Sequence, residues 1–129
     1  MIKTLVIDSD SVFLDLVQIL LKREDCEVIT CSNGLDAYNV VKREIPDVIV
    51  LDPLLPFIDG GTVIALLKGD PETFSIPILL CTSSALPADE RTKLEKEVNG
   101  TLSKPGDIPK LATKLRAVVA GQQRQRPAA

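Results

Sequence analysis

The chain contains no histidine and no tryptophan. Without histidine there is no Ser-His-Asp triad, no imidazole general base and no imidazole zinc ligand. Aromatic residues make up 3% of 129 residues, too few for a base-stacking platform. The three cysteines, Cys26, Cys31 and Cys81, form no close pair motif and sit in or beside apolar runs. Free cysteine in that setting acts as a small core residue, and the odd count fits a reducing compartment, so a cytoplasmic location is expected. No apolar run is long enough to cross a bilayer. Positive charge is also in deficit, with 15 Lys and Arg against 18 Asp and Glu and a net charge of −3. Neither direct nucleic-acid binding nor membrane attachment is expected of such a chain.

What remains has the balance of one globular domain, 45% hydrophobic and 26% charged. Its centre is Asp47-Val48-Ile49-Val50-Leu51-Asp52, followed by Pro53, Pro56 and Asp59-Gly60. An unbroken β-branched run of this length predicts a strand buried on both faces, as in a parallel sheet. It stops on a carboxylate, and the prolines and glycine force a turn. An acid at the carboxyl end of a central parallel strand stands where open α/β sheets bind ligands.

The rest of the chain alternates around that strand. Ile2–Ile7 is a second buried strand ending at Asp8, and Ser9, Asp10 and Ser11 offer caps for a helix reaching Arg23. In it Val12, Phe13, Leu16, Val17, Leu20 and Leu21 recur at helical spacing. A strand is expected over 27–31, then a helix over 35–44 closed by Pro46. A helix over 61–68 follows the central strand, then an apolar strand over 76–81 running into Thr82, and a charged helix over 87–98 with only Leu94 and Val98 inward. Thr101–Ser103 makes a short strand before Lys104-Pro105-Gly106, and a helix over 108–120 carries Leu111, Leu115 and Val118 on one face. Residues 1–120 read as one domain and 121–129 as a disordered polar tail. Right-handed crossovers then give a doubly wound parallel five-stranded sheet between two helical layers.

Asp8, Asp52, Thr82 and Lys104 each end a strand, and in a parallel sheet those ends share one edge. Two carboxylates and a backbone carbonyl suit a hard divalent cation such as Mg²⁺, and a hydroxyl with an ammonium suits phosphoryl oxygens. The chemistry implied is transfer of a phosphoryl group to a carboxylate.

These residues, with Leu5-Val6-Ile7-Asp8, Pro46 through Asp52, Pro56, Asp59-Gly60, Pro77 through Thr82 and Lys104-Pro105, resemble the receiver domain of bacterial two-component response regulators over residues 1 to 120. The resemblance implies a flavodoxin-like (βα)5 fold with Asp52 as phosphoacceptor. It implies Mg²⁺ held by Asp8, Asp52 and the Leu54 carbonyl, and phosphoryl contacts from Thr82 and Lys104. It further implies a sensor histidine kinase or phosphotransfer protein as donor, and a downstream effector or a second copy meeting the 87–120 face. Any enzymatic activity would be limited to Mg²⁺-dependent self-phosphorylation and self-dephosphorylation.

Two departures qualify that expectation. Such domains usually carry adjacent acids after the first strand, and here the second position is Ser9, so Mg²⁺ binding should be weak. Asp10 is assigned to capping the first helix, with a water-mediated metal contact as the alternative. The aromatic switch of the fifth strand is replaced by Thr101, too small to act as a lever, so the output face is expected to respond little to phosphate. A pseudo-receiver that works without phosphate is therefore an alternative reading. Another is a haloacid dehalogenase-like phosphatase, with Asp8 as nucleophile, Asp10 as general acid, and Thr82 or Ser83 and Lys104 as later motifs. That reading leaves Asp52 and its loop unexplained.

Overall fold

A computed structural model describes residues 1–125. Strands β1 (Ile2–Ile7), β2 (Cys26–Cys31), β3 (Val48–Leu51), β4 (Ile78–Thr82) and β5 (Gly100–Ser103) form one parallel sheet in the order β2-β1-β3-β4-β5. Between them lie helices α1 (Ser11–Arg23), α2 (Gly34–Glu44), α3 (Gly60–Lys68) and α4 (Ala88–Glu95), and after β5 a 3₁₀ turn leads into α5 (Leu111–Gln125). The expected doubly wound, flavodoxin-like (βα)5 sheet is what the chain forms.

Strand periodicity sorts the central residues to two faces. Val6, Val48, Val50, Leu79 and Cys81 pack with Phe13, Val17 and Leu21 of α1 and with Leu111, Leu115 and Val119 of α5. Leu5, Ile7, Ile49, Leu51 and Leu80 pack with Ala37 and Val41 of α2 and with Val63, Ile64 and Leu67 of α3. Burying each such aliphatic side chain contributes about 1.5–3 kcal/mol. The three cysteines are free and buried, and burial pushes the Cys81 thiol up to about 12, so it serves as a core residue.

Several boundaries differ from the sequence reading. β4 begins at Ile78, because Pro77 has no N–H for the ladder and gives only its carbonyl, to the Ile49 amide at 3.0 Å. α4 ends at Glu95 instead of continuing to residue 98, and none of its residues is buried. In α1, Val12 is 74% exposed beside a buried Phe13, since adjacent helical positions face different directions. On α5 it is Val119 that completes the buried stripe, with Val118 partly buried against it. α5 also runs on through Gln125, so residues 121–125 are helical where a disordered tail was expected, consistent with the helix-favouring Gln and Arg there. The remainder of that expected tail, 126–129, lies outside the described residues.

One polar cluster ties α2 to the loop after α3. Asp70 accepts hydrogen bonds from the Lys42 ammonium at 2.7 Å and from the Tyr38 hydroxyl, and its other oxygen accepts from the Glu72 amide at 2.8 Å. Lys42, then Tyr38, hold the Asp70 carboxyl at about 2, down from an ordinary 3.8. This stabilisation is complete above the unfolded value and is lost as pH falls through the folded one. Asp70→Asn should therefore melt below the parent protein at neutral pH, and the two melting temperatures should converge toward pH ~2. A gap of unchanged size at the acid end would mean the carboxylate charge contributes nothing.

Candidate functional site

The four strand-end residues do converge, and backbone ladders carry them there. The Asp8 amide donates to the Cys31 carbonyl at 3.0 Å, the Asp52 amide to the Ile7 carbonyl at 3.0 Å, and the Lys104 amide to the Thr82 carbonyl at 2.7 Å. Each residue is thus fixed by the strand beside it, one step beyond the apolar run that placed that strand. Asp8 is 1% exposed, Asp52 8% and Thr82 4%, so the site is sunk into the sheet edge.

Lys104 closes it. Its ammonium donates to Asp52 Oδ2 at 2.7 Å and to Asp8 Oδ2, and it lies 4.2 Å from the centroid of the Phe13 ring. Two carboxylates therefore share one ammonium, with a ring face beneath it as a further electrostatic contact. Burial raises the Asp8 carboxyl above its ordinary value, against the opposing hydrogen bond from Lys104. Burial alone would lower the Lys104 ammonium, but its bonds to Asp52 and Asp8 outweigh it and the net direction is up. The remaining carboxylate oxygens are held by backbone: Asp8 Oδ1 accepts from the Asp10 amide at 2.9 Å and Asp52 Oδ1 from the Leu54 amide at 2.8 Å.

Asp10 and Ser9 stand outside this cluster. Asp10 Oδ1 accepts from the Val12 and Phe13 amides at 3.0 and 3.2 Å, which makes it the N-cap of α1. Ser9 is exposed. Among the described residues no three acidic or Cys side chains are grouped to hold a metal ion. Asp8 and Asp52 nevertheless present two buried carboxylates beside the Leu54 backbone, an all-oxygen donor set. Mg²⁺ binds through one or two carboxylates and keeps several waters, so these residues fit it. Thr101 is half-buried in β5, opposite Leu80 of β4.

Two participants were missed in the sequence. Phe13 was read only as core, though its position three residues after the α1 cap directs it under the strand ends. Arg91 was read as one charge among many on α4. Its Nη2 donates to the Leu86 carbonyl at 3.3 Å, and it lines a cavity of about 190 Å³ with Thr82, Ser83, Ser84, Ser103 and Lys104. No short-range pattern marks it, because what turns it inward is the loop before α4.

Residues 4–116 match the family described as response regulator receiver domain. The chain is similar to the response regulator PleD of Caulobacter vibrioides, at 34% identity over 98% of this chain and 29% of that protein. It spans half or less of the length of several transcriptional regulators that it also matches. Among solved structures, it is similar to a response regulator of Chloroflexus aurantiacus, with a TM-score of 0.83, 26% identity and coverage of 92% of this chain and 98% of that one. The receiver domain of a sensor histidine kinase from Pseudomonas aeruginosa, described with a magnesium ion coordinated in its active site cleft, shares the fold. Its TM-score is 0.83 at 23% identity, covering 92% of this chain and 98% of that one.

Proposed function

The chain belongs to the response regulator receiver domain family, and from that premise we propose that it accepts a phosphoryl group on Asp52 from a sensor histidine kinase or phosphotransfer protein. The observation that carries this reading is Lys104 bridging Asp52 and Asp8 at the end of the central strands. A carboxylate oxygen of Asp52 attacks the phosphorus, the P–N bond of a phosphohistidine donor breaks, and its electron pair returns to the imidazole. Lys104 neutralises charge on the transferred oxygens, and the Thr82 hydroxyl offers them a donor from the neighbouring strand end. Asp8, Asp52 and the Leu54 carbonyl would hold Mg²⁺, which when bound supplies further neutralisation of the phosphoryl charge. Beyond that transfer, its own chemistry is limited to self-phosphorylation from small phosphodonors and self-dephosphorylation. The output partner, an effector or a second copy, would meet α4, β5 and α5.

Asp10 disfavours the phosphatase reading. The Asp10 carboxylate, which that reading needs as general acid beside Asp8, is committed to the cap of α1 through the Val12 and Phe13 amides. A carboxylate held by two backbone amides is poorly placed to deliver a proton as general acid. Incubation with acetyl phosphate and Mg²⁺ should label the protein stoichiometrically at most, whereas sustained turnover of a phosphomonoester would overturn the receiver reading. No labelling by any donor would leave a pseudo-receiver.

The missing acid gives a second test. Ser9→Asp adds a third carboxylate at the rim of the Asp8–Asp52 pair, and Mg²⁺ affinity should rise roughly tenfold, about 1.4 kcal/mol. The metal-free variant should lose stability through carboxylate repulsion. Calorimetric titration of both forms decides this. Equal affinities would show that charge count at this rim does not limit metal binding.

A further inference from the structure

The proposed function places α4 on the output face but gives it no means of sensing the phosphoryl group. α4 buries none of its residues, and five of the eight residues of Ala88–Glu95 are charged, Asp89, Glu90, Arg91, Lys93 and Glu95. Arg91 departs from that solvated character. Its Nε is buried and has no hydrogen-bond partner among the described residues, and one Nη2 bond at 3.3 Å, to the Leu86 carbonyl, is its contact with the loop. A guanidinium has five N–H donors in a rigid plane suited to oxyanions, and an unpaired buried donor is costly to leave unmade.

The cavity it faces has the matching chemistry. Its walls are the hydroxyl residues Thr82, Ser83, Ser84 and Ser103 with the two cationic side chains Arg91 and Lys104, and among the described residues no carboxylate lines it. Lys104 is already committed to Asp8 and Asp52, so among the described residues Arg91 is the cation there without an anion. Lys104, which lines the cavity, also links it to Asp52, its ammonium donating to Asp52 Oδ2 at 2.7 Å.

We propose that Arg91 is the residue through which α4 responds to phosphate: its guanidinium exchanges the Leu86 carbonyl for the phosphoryl oxygens on Asp52 and carries the first turn of α4 with it. This rests on Asp52 being the phosphoacceptor. A phosphoryl group brings about −1.5 to −2 charge and three acceptor oxygens. A ligand shifts a conformational equilibrium only by its different affinity for two states. Arg91 supplies such a pair of states, one with Nε unpaired and one with it donating to an oxyanion, where Thr101 in β5 offers none. Thr101 alone leads to an output face that responds little to phosphate, and the proposal differs from that expectation in routing a response through α4. With few apolar anchors, α4 opposes that movement little.

The test uses beryllofluoride, which binds a carboxylate oxygen as an acyl phosphate analogue, and reads amide resonances together with the Arg91 Nε–Hε resonance. In the parent protein, Mg²⁺ and beryllofluoride should shift Asp8, Asp52 and Lys104, residues 88–95 and the Arg91 side chain. In Arg91→Gln beryllofluoride should bind more weakly, and at saturation Asp8, Asp52 and Lys104 should still shift while the shifts over 88–95 fall by more than half, with Arg91→Lys retaining part of them. Shifts over 88–95 that are the same in Arg91→Gln would overturn the proposal and leave the phosphoacceptor reading standing. A parent protein with no shifts at Asp8, Asp52 or Lys104 would overturn the phosphoacceptor reading and this proposal with it. Inorganic phosphate moving the Arg91 resonance equally in Asp52→Asn protein would assign the cavity to a free anion and likewise overturn it.

Discussion

Lys104→Met should destabilise the metal-free protein by about 3–5 kcal/mol at neutral pH, the cost of stripping a buried charge cluster of its partner. The ammonium bonded to Asp52 Oδ2 and Asp8 Oδ2 is gone, and two sunken carboxylates then face each other. Methionine keeps the aliphatic stem and its packing, so the loss isolates the charge. Two recoveries should accompany it. Lowering the pH should restore stability, because burial already raises the Asp8 carboxyl and the variant removes the Lys104 bond that opposes it, so the folded form binds a proton more tightly than the unfolded chain. Adding Mg²⁺ should restore it at neutral pH, because a divalent cation replaces the missing positive charge. Chemical denaturation with and without Mg²⁺, at pH 7 and in the carboxylate range, separates these. A variant as stable as the parent at neutral pH without metal would mean that water, not Lys104, compensates the two acids.

Gly34→Ala should be nearly as damaging although it lies outside the site. Gly34 opens α2, and its amide donates to the Pro56 carbonyl at 3.3 Å. A Cβ there would lie 1.7 Å from the Ile58 carbonyl oxygen and 2.7 Å from its carbon, so backbone must move. We expect a loss of about 3 kcal/mol, at the upper end for overpacking. The loop displaced is the one between Asp52 and α3, which holds Asp52 Oδ1 through the Leu54 amide. Labelling of Asp52 should therefore slow in the variant even where it remains folded. Gly106→Ala is the control, since a Cβ there meets nothing within 4 Å, and it should leave both melting temperature and labelling close to the parent values. Equal behaviour of the two variants would show that the 53–59 loop yields freely.

These effects mark where the sequence is legible and where it is not. The strands could be read because Val48–Leu51 and Ile78–Thr82 are buried on both faces, which leaves unbroken apolar runs. Parallel topology then forces their ends onto one edge, which is why Asp8, Asp52, Thr82 and Lys104 could be grouped without coordinates. The Asp10 cap was legible for a local reason, its side chain reaching amides two and three residues on. The contact of Gly34 with Ile58, the ring of Phe13 beneath Lys104 and the inward turn of Arg91 were not legible. The first two join elements distant in sequence, Arg91 depends on the conformation of the loop before α4, and each residue type has an ordinary local explanation: a helix start, a core aromatic, a solvated cation. The length of α5 was missed for the opposite reason. Its last described residues, 121–125, are polar enough to look like a tail, but polar residues with good helix propensity continue a helix that packing has already begun.

The central claim is that Asp52, held by Lys104 at the end of β3, is the carboxylate that takes the phosphoryl group. The most direct measurement is to phosphorylate the full chain with phosphoramidate and Mg²⁺, trap the acyl phosphate chemically, and map the modified residue by mass spectrometry. Modification at Asp52, absent in Asp52→Asn protein and dependent on Mg²⁺, is the predicted result. Modification at Asp8, with Asp52 untouched, would contradict the account and place the nucleophile at the end of β1.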